Sequence, residues 1–135
     1  MTEALFSDPG FRAAQTALDG LALRQEVIGR NLANIDTPGF KAQSVTFEAA
    51  LQQAQRETRA IRLAVTDGAH LTGAGDPTAL ISLEARTGGS TRADGNNVDI
   101  DQELTQMAET GIRFQALSQL ISKKMLLLKS IATGR

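Results

Sequence analysis

Two stretches of this chain place apolar residues at alternating three- and four-residue steps, and they lie at its two ends. In the first, Phe11, Ala14, Leu18, Leu21, Gln25, Ile28, Leu32 and Ile35 form one coiled-coil-like seam in which only Gln25 is polar. Ser7 or Asp8 is placed to cap a helix whose first turn contains Pro9. Asn34 suits a helix C-terminus, and Thr37-Pro38-Gly39 puts Pro second and Gly third in a type II turn. The pattern therefore predicts a helix that stops before Asp36, roughly 40 Å long at about 1.5 Å per residue.

The C-terminal end repeats the pattern through Ile100, Leu104, Met107, Gly111, Phe114, Ser118, Ile121, Met125, Leu128 and Ala132. Asp99, Asp101 and Glu103 crowd the start of this second helix and Lys123, Lys124 and Lys129 its end, the order that offsets the helix dipole. Asp99 is its expected N-cap. Leu117, Leu120, Leu127 and Ile131 add a second apolar stripe, broader than a two-helix contact needs. The two seams either pack on each other within one chain or bind neighbouring chains, and the excess apolar surface favours neighbours. Gln25 either is tolerated on its seam or sets register across an interface.

Between the ends helical periodicity mostly fails. Phe47 to Ile61 reads as a short amphipathic helix through Phe47, Leu51, Ala54 and Thr58, and Ile81-Ser82-Leu83 alternates like a brief strand. Glycines and turn formers cluster at Asp67-Gly68, Gly73 to Pro77, Gly88-Gly89-Ser90 and Asp94 to Asn97. The expected fold is mainly α: long N- and C-terminal helices forming a coiled-coil-like pair, joined by an irregular insert with a short helix and short β pieces. The expected division is an N-terminal assembly helix over 1–35, an insert over 36–98 and a C-terminal assembly helix over 99–135, as one structural unit.

With 135 residues, 41% hydrophobic, the chain is long enough for one domain and too short for two independent cores. Aromatic content of 4%, with five Phe and neither Trp nor Tyr, makes for a weak intrinsic core and points to support from neighbours. A net charge of −1 with both signs dispersed argues against nucleic acid as a partner. No cysteine is present, which removes disulfides and thiolate chemistry.

The start, Met1-Thr2-Glu3-Ala4-Leu5-Phe6, does not read as a cleavable secretory signal. The longest aliphatic run, Met125 to Leu128, falls far short of the roughly 20 residues that span a bilayer. His70 is the only histidine and no catalytic motif accompanies it, so the reading is not an enzyme, with no cofactor and no small-molecule substrate. Asp99, Asp101 and Glu103 lack the spacing of a calcium loop, and helix capping explains them more simply.

Two motifs carry more than local structure. The first is Asn31-Leu32-Ala33-Asn34-Ile35-Asp36-Thr37-Pro38-Gly39-Phe40-Lys41, which resembles the N-terminal signature of bacterial flagellar rod, hook and related axial proteins. The second, Gly95-Asn96-Asn97-Val98-Asp99-Ile100-Asp101-Gln102-Glu103, leads into the C-terminal seam. Together with Ala116 to Met125 and the short chain length, it resembles the proximal-rod members of that family. Thr66 to Leu71 gives only a faint further echo, in which Asp67-Gly68 departs from the family pattern. Turn and cap geometry alone also accounts for Asn31, Asn34, Asp36 and Pro38, and the two roles are compatible.

The resemblance implies a structural subunit of the flagellar proximal rod. Such a subunit leaves the cytoplasm through the flagellar type III export apparatus without cleavage and assembles in the periplasm into a hollow helical axis that encloses the export channel. Implied partners are other copies, other rod proteins, the ring-to-rod adaptor FliE, export-gate subunits and the MS ring region. The alternative is a cytoplasmic coiled-coil adaptor or export chaperone, which the helix periodicity permits equally well.

Overall fold

A computed structural model describes residues 8–59 and 80–133. In chain order these form α1 (Pro9–Ala33), β1 (Gln43–Thr46), α2 (Glu48–Arg59), β2 (Ser82–Ala85) and α3 (Ile100–Thr133). The fold is mainly helical, with a short helix and a two-stranded ribbon between two long helices, as the sequence predicts.

Both long helices begin on the expected aspartates. Asp8 Oδ1 accepts the Gly10 N–H at 3.1 Å, and Asp99 Oδ1 accepts those of Asp101 at 3.0 Å and Gln102 at 3.2 Å. α1 ends at Ala33 with Asn34 as its cap. The following turn closes as predicted: the Phe40 N–H donates to the Thr37 carbonyl at 3.2 Å, and Gly39 takes a φ of +73° that a side chain would oppose. At the other end α3 runs on to Thr133 and its last turn carries no basic residue, so Lys123, Lys124 and Lys129 stand inside the helix rather than at its dipole end.

α1 and α3 pack as an antiparallel hairpin. Asp8 meets Lys124 at one end, Leu21 lies in the cluster that Phe114 and Leu117 pack against, and Asn31 meets Glu103 at the other end. The side chains that α3 turns inward are Glu103, Met107, Thr110, Phe114, Leu117, Ile121, Lys124 and Leu128, all buried or half-buried. This row coincides with the expected seam at Met107, Phe114, Ile121 and Leu128. Gly111 and Ser118 of the seam are half-buried as well, but at Leu104 and Met125 the preceding residue turns inward instead, leaving Leu104 50% and Ile100 49% exposed. The displacement has a physical cause, because Glu103 is drawn inside by polar partners on two other elements and fixes the helix rotation.

α1 is covered on a second side by the insert, which is why Thr16, Gly20, Val27 and Asn31 are buried as well as Leu21 and Ile28. β1 and β2 pair antiparallel with Gln43 opposite Ala85 and Thr46 opposite Ser82. α2 follows directly and lays Phe47, Ala50 and Ala54 inward, with Leu51 half-buried. Phe47 rests on Gly20, where a Cβ would lie 2.6 Å from the ring carbon Cγ. The Arg24 guanidinium covers the same ring at 4.5 Å from its centre. The core is therefore Leu21, Val27, Val45, Phe47 and Ala50, with Leu23, Ile81, Phe114 and Leu117 packed against it. Ile61, the Thr66 to Leu71 segment with His70, and the side chain of Thr58 lie outside the described residues.

Candidate assembly interface

The two sequence motifs fold into one polar clasp at the turn end of the hairpin. The last carbonyls of α1, those of Arg30, Asn31 and Leu32, are taken by Asn34 and Ile35, and the turn beyond presents further carbonyls that need donors. Here Asn96, fully buried, spreads its Nδ2 hydrogens over the carbonyls of Asn34 (3.0 Å), Ile35 (3.1 Å) and Thr37 (2.8 Å). Its Oδ1 accepts the Val98 N–H at 2.7 Å, so Asn96 has partners for both ends of its amide. Arg92 Nη1 adds a second donor to the Ile35 carbonyl at 2.7 Å. Gly39 N–H donates to the Asp94 carbonyl at 2.9 Å and Lys41 Nζ to that of Gly95 at 2.6 Å. Gly95 sits with its φ at +84° against Gly39, a backbone approach that suits glycine.

One layer deeper, Asn31 acts as a substitute strand. Its Oδ1 accepts the Gln43 N–H at 3.0 Å and its Nδ2 donates to the Gln43 carbonyl at 2.8 Å, closing the open edge of β1. The same Nδ2 lies 3.2 Å from each carboxylate oxygen of Glu103. Glu103 has no exposure to solvent, and a buried carboxylate is tolerated only with a cation and hydrogen bonds around it. Arg86 supplies the cation, with Nη1 2.6 Å from Glu103 Oε1. Asn97 ties this layer to the ribbon by accepting from Ala42 N–H at 2.7 Å and donating to the Arg86 carbonyl at 3.2 Å. The clasp thus joins α1, the ribbon and α3 at one point.

Of the motif residues, Asn31, Asn96, Val98 and Glu103 are buried; Asn34, Phe40, Gly95 and Asn97 are half-buried; Ala33, Asp36, Thr37, Pro38, Gly39, Lys41, Asp99 and Asp101 are exposed. Arg86 is missed by sequence reasoning. It belongs to neither motif, and its partner lies 17 residues away on another element. Gly20 and Arg24 are missed too, since nothing near them in sequence announces Phe47.

The opposite end differs in kind. Of the expected interface residues, Leu21 and Ile28 are buried, while Phe11, Leu18, Leu32, Ile35, Met107, Phe114, Leu117, Ile121 and Leu128 are half-buried. Gln25, Leu104 and Met125 are exposed. Near the end of α3 the second apolar stripe faces outward: Leu120 is 60%, Leu127 66% and Ile131 79% exposed, with Leu126 65% exposed on another side. Asp8 closes this end through Lys124, whose hydrogen bond, followed by that from Gly10 N–H, holds the Asp8 carboxyl below its ordinary value. In the insert, partial burial pushes the Glu48 carboxyl up, but the N–H groups of Glu48 and Phe47 and the Arg24 guanidinium outweigh it and hold it low.

A family model described as "Flagella basal body rod protein" matches residues 11–41, which span α1 and the first half of the clasp. The flagellar basal body rod protein FlgB of Bacillus subtilis (strain 168) is 38% identical over 120 residues, covering 89% of this chain and 90% of the relative. The chain belongs to the FlgB family of flagellar basal body rod proteins. FlgB of Escherichia coli (strain K12) is 34% identical over 131 residues, covering 91% and 95%. FlgB of Borrelia hermsii is 38% identical over 105 residues, covering 71% and 75%. The likeness to FlgB thus reaches well beyond the two motifs and through the insert. FlgB proteins are structural and not enzymes. Among the described residues no helix is long and apolar enough to cross a membrane.

Proposed function

We propose that this FlgB-family chain is a structural subunit of the proximal rod. Its terminal helices pack against copies and relatives into a hollow helical axis that transmits torque and encloses the export channel. The observation that carries this reading is the outward stripe of Leu120, Leu127 and Ile131 near the end of α3, each 60% exposed or more, with Leu126 exposed beside it. A helix with apolar stripes on two sides has more to bury than one partner covers, and in an isolated chain the second stripe is outside. Contacts between unlike surfaces of successive subunits generate helical arrays, so such a surface serves as adhesive.

The same reading has the subunit leave the cytoplasm through the flagellar type III apparatus and assemble in the periplasm. There it meets other rod proteins, the adaptor FliE, export-gate subunits and the MS ring region. Expression of the chain in a strain made non-motile by deletion of its own copy tests this directly. The chain should co-purify with basal bodies and restore swimming; recovery only in the cytoplasmic fraction would instead support an adaptor or export chaperone.

A further inference from the structure

Beyond their first turns the two long helices contain three glycines, Gly20, Gly29 and Gly111. Glycine weakens a helix interior, so each invites a reason. Gly20 has one inside the chain, the ring of Phe47 that rests on it. At Gly29 and Gly111 nothing among the described residues lies within 4 Å of where a Cβ would stand, so each leaves an open notch. Both notches are on the face of the hairpin turned away from the insert. On α1 the insert meets Gly20, Val27 and Asn31, whereas Gly29 shares the other flank with Leu18 and Gln25. On α3 Gln106 and Arg113 border the insert, whereas Gly111 lies in a row with Leu104 and Ser118, seven residues to either side. Ile100 and Leu104 are exposed beside this row. Asn31 is level with Glu103, so the notches stand about six residues apart along the hairpin, roughly 9 Å.

The far end of α3 carries knobs of matching spacing. Leu120 and Leu127 are seven residues apart, roughly 10 Å, and both are exposed. They follow Arg113 in steps of seven, which puts them on the flank opposite the notches, so no chain can seat its own leucines. Charge favours the same pairing. Residues 116–133 hold Lys123, Lys124 and Lys129 and no acid, whereas Asp99 and Asp101 open α3, so the end of one α3 laid over the start of the next brings opposite signs together. We infer that the notched face receives the end of α3 from a second copy of this chain, with Leu120 over Gly29 and Leu127 over Gly111; the inference rests on the rod reading above. The contact joins unlike surfaces, so it repeats from copy to copy without closing on itself.

The chain has no cysteine, so introduced pairs report without background. Gly29→Cys with Leu120→Cys, and Gly111→Cys with Leu127→Cys, are each expressed in the strain that lacks its own copy. Under mild oxidation of purified basal bodies each pair should link copies into disulfide-bonded dimers and longer ladders, and no single variant should form a ladder. Gly111→Leu fills one notch where the fold leaves open space. The thermal midpoint of the purified variant should therefore rise by about 3 °C through helix propensity. Its recovery in basal bodies should fall about tenfold, because the neighbour's leucine is kept from burial. Wild-type recovery for Gly111→Leu would overturn the inference, as would a lower midpoint, which would assign the space to the fold. Disulfides to a different rod protein alone, or none from either pair, would overturn it too. Absence of the wild-type chain from basal bodies would instead refute the rod reading itself.

Discussion

The two ends of the helical hairpin are built on opposite principles. At the turn end Asn31, Asn96 and Glu103 are each fully buried, and their polar atoms are matched within the chain. At the far end α3 exposes Leu120, Leu126, Leu127 and Ile131 and is held to α1 by the half-exposed Asp8–Lys124 pair. A buried polar network is satisfied only by groups at fixed positions, so it locks one geometry. An apolar surface is satisfied by any well-shaped neighbour, so it leaves association open. The difference separates the end that defines the subunit from the end that serves its neighbours.

The comparison breaks most sharply at Arg86. Arg86→Met leaves the Glu103 carboxylate buried without its cation and should destabilise the chain by about 3–5 kcal/mol in urea unfolding. Adding Glu103→Gln to that variant should recover most of the loss, because a neutral amide needs no cation; no recovery would show that Arg86 acts by packing alone. Asn96→Ala comes next, stripping the donor from three carbonyls of the turn that follows α1 at a cost of about 2–3 kcal/mol. Its amide exchange should quicken first over residues 31–37.

The far end predicts smaller effects on the fold. Asp8→Asn keeps a good N-cap and removes the ion pair with Lys124, so the loss should stay below about 1 kcal/mol. The sign of its pH dependence follows from a carboxyl held below its ordinary value of 3.8 in the folded chain. Such a group contributes fully above its unfolded value, and the contribution is lost as pH falls through the lowered one. Wild type should therefore lose stability in acid slightly more steeply than Asp8→Asn, while the two curves run parallel near neutrality. Leu127→Asp should leave the isolated chain unchanged, since that side chain is 66% exposed, and should abolish recovery in basal bodies. Normal rods carrying it would remove the far end as an assembly surface.

The helices, their caps and the type II turn were legible because each depends on neighbours within one or two turns of chain. Asp8, Asp99 and Gly39 declare their roles through local hydrogen bonding and backbone preference alone. The strand-like alternation at Ile81 to Leu83 marked β2, but β1 at Gln43–Thr46 had no comparable pattern, and its edge is completed by a side chain from α1. The two polar motifs were legible as strings, and not as a pair of surfaces that bond to each other.

By itself the sequence determined that two long amphipathic helices flank an insert, where they begin, and to which family the chain is allied. Periodicity, capping and turn formation are short-range, and they survive translation into a list of residues. Only the tertiary structure decided which stripe of α3 turns inward, because hydrophobic pattern alone leaves a rotation of one residue open. The choice was made by Glu103, whose charge must be buried beside Arg86 and Asn31 from distant parts of the chain. That rotation packs Leu117 inward and leaves Leu104 outside, and so sets which apolar residues remain for a neighbour.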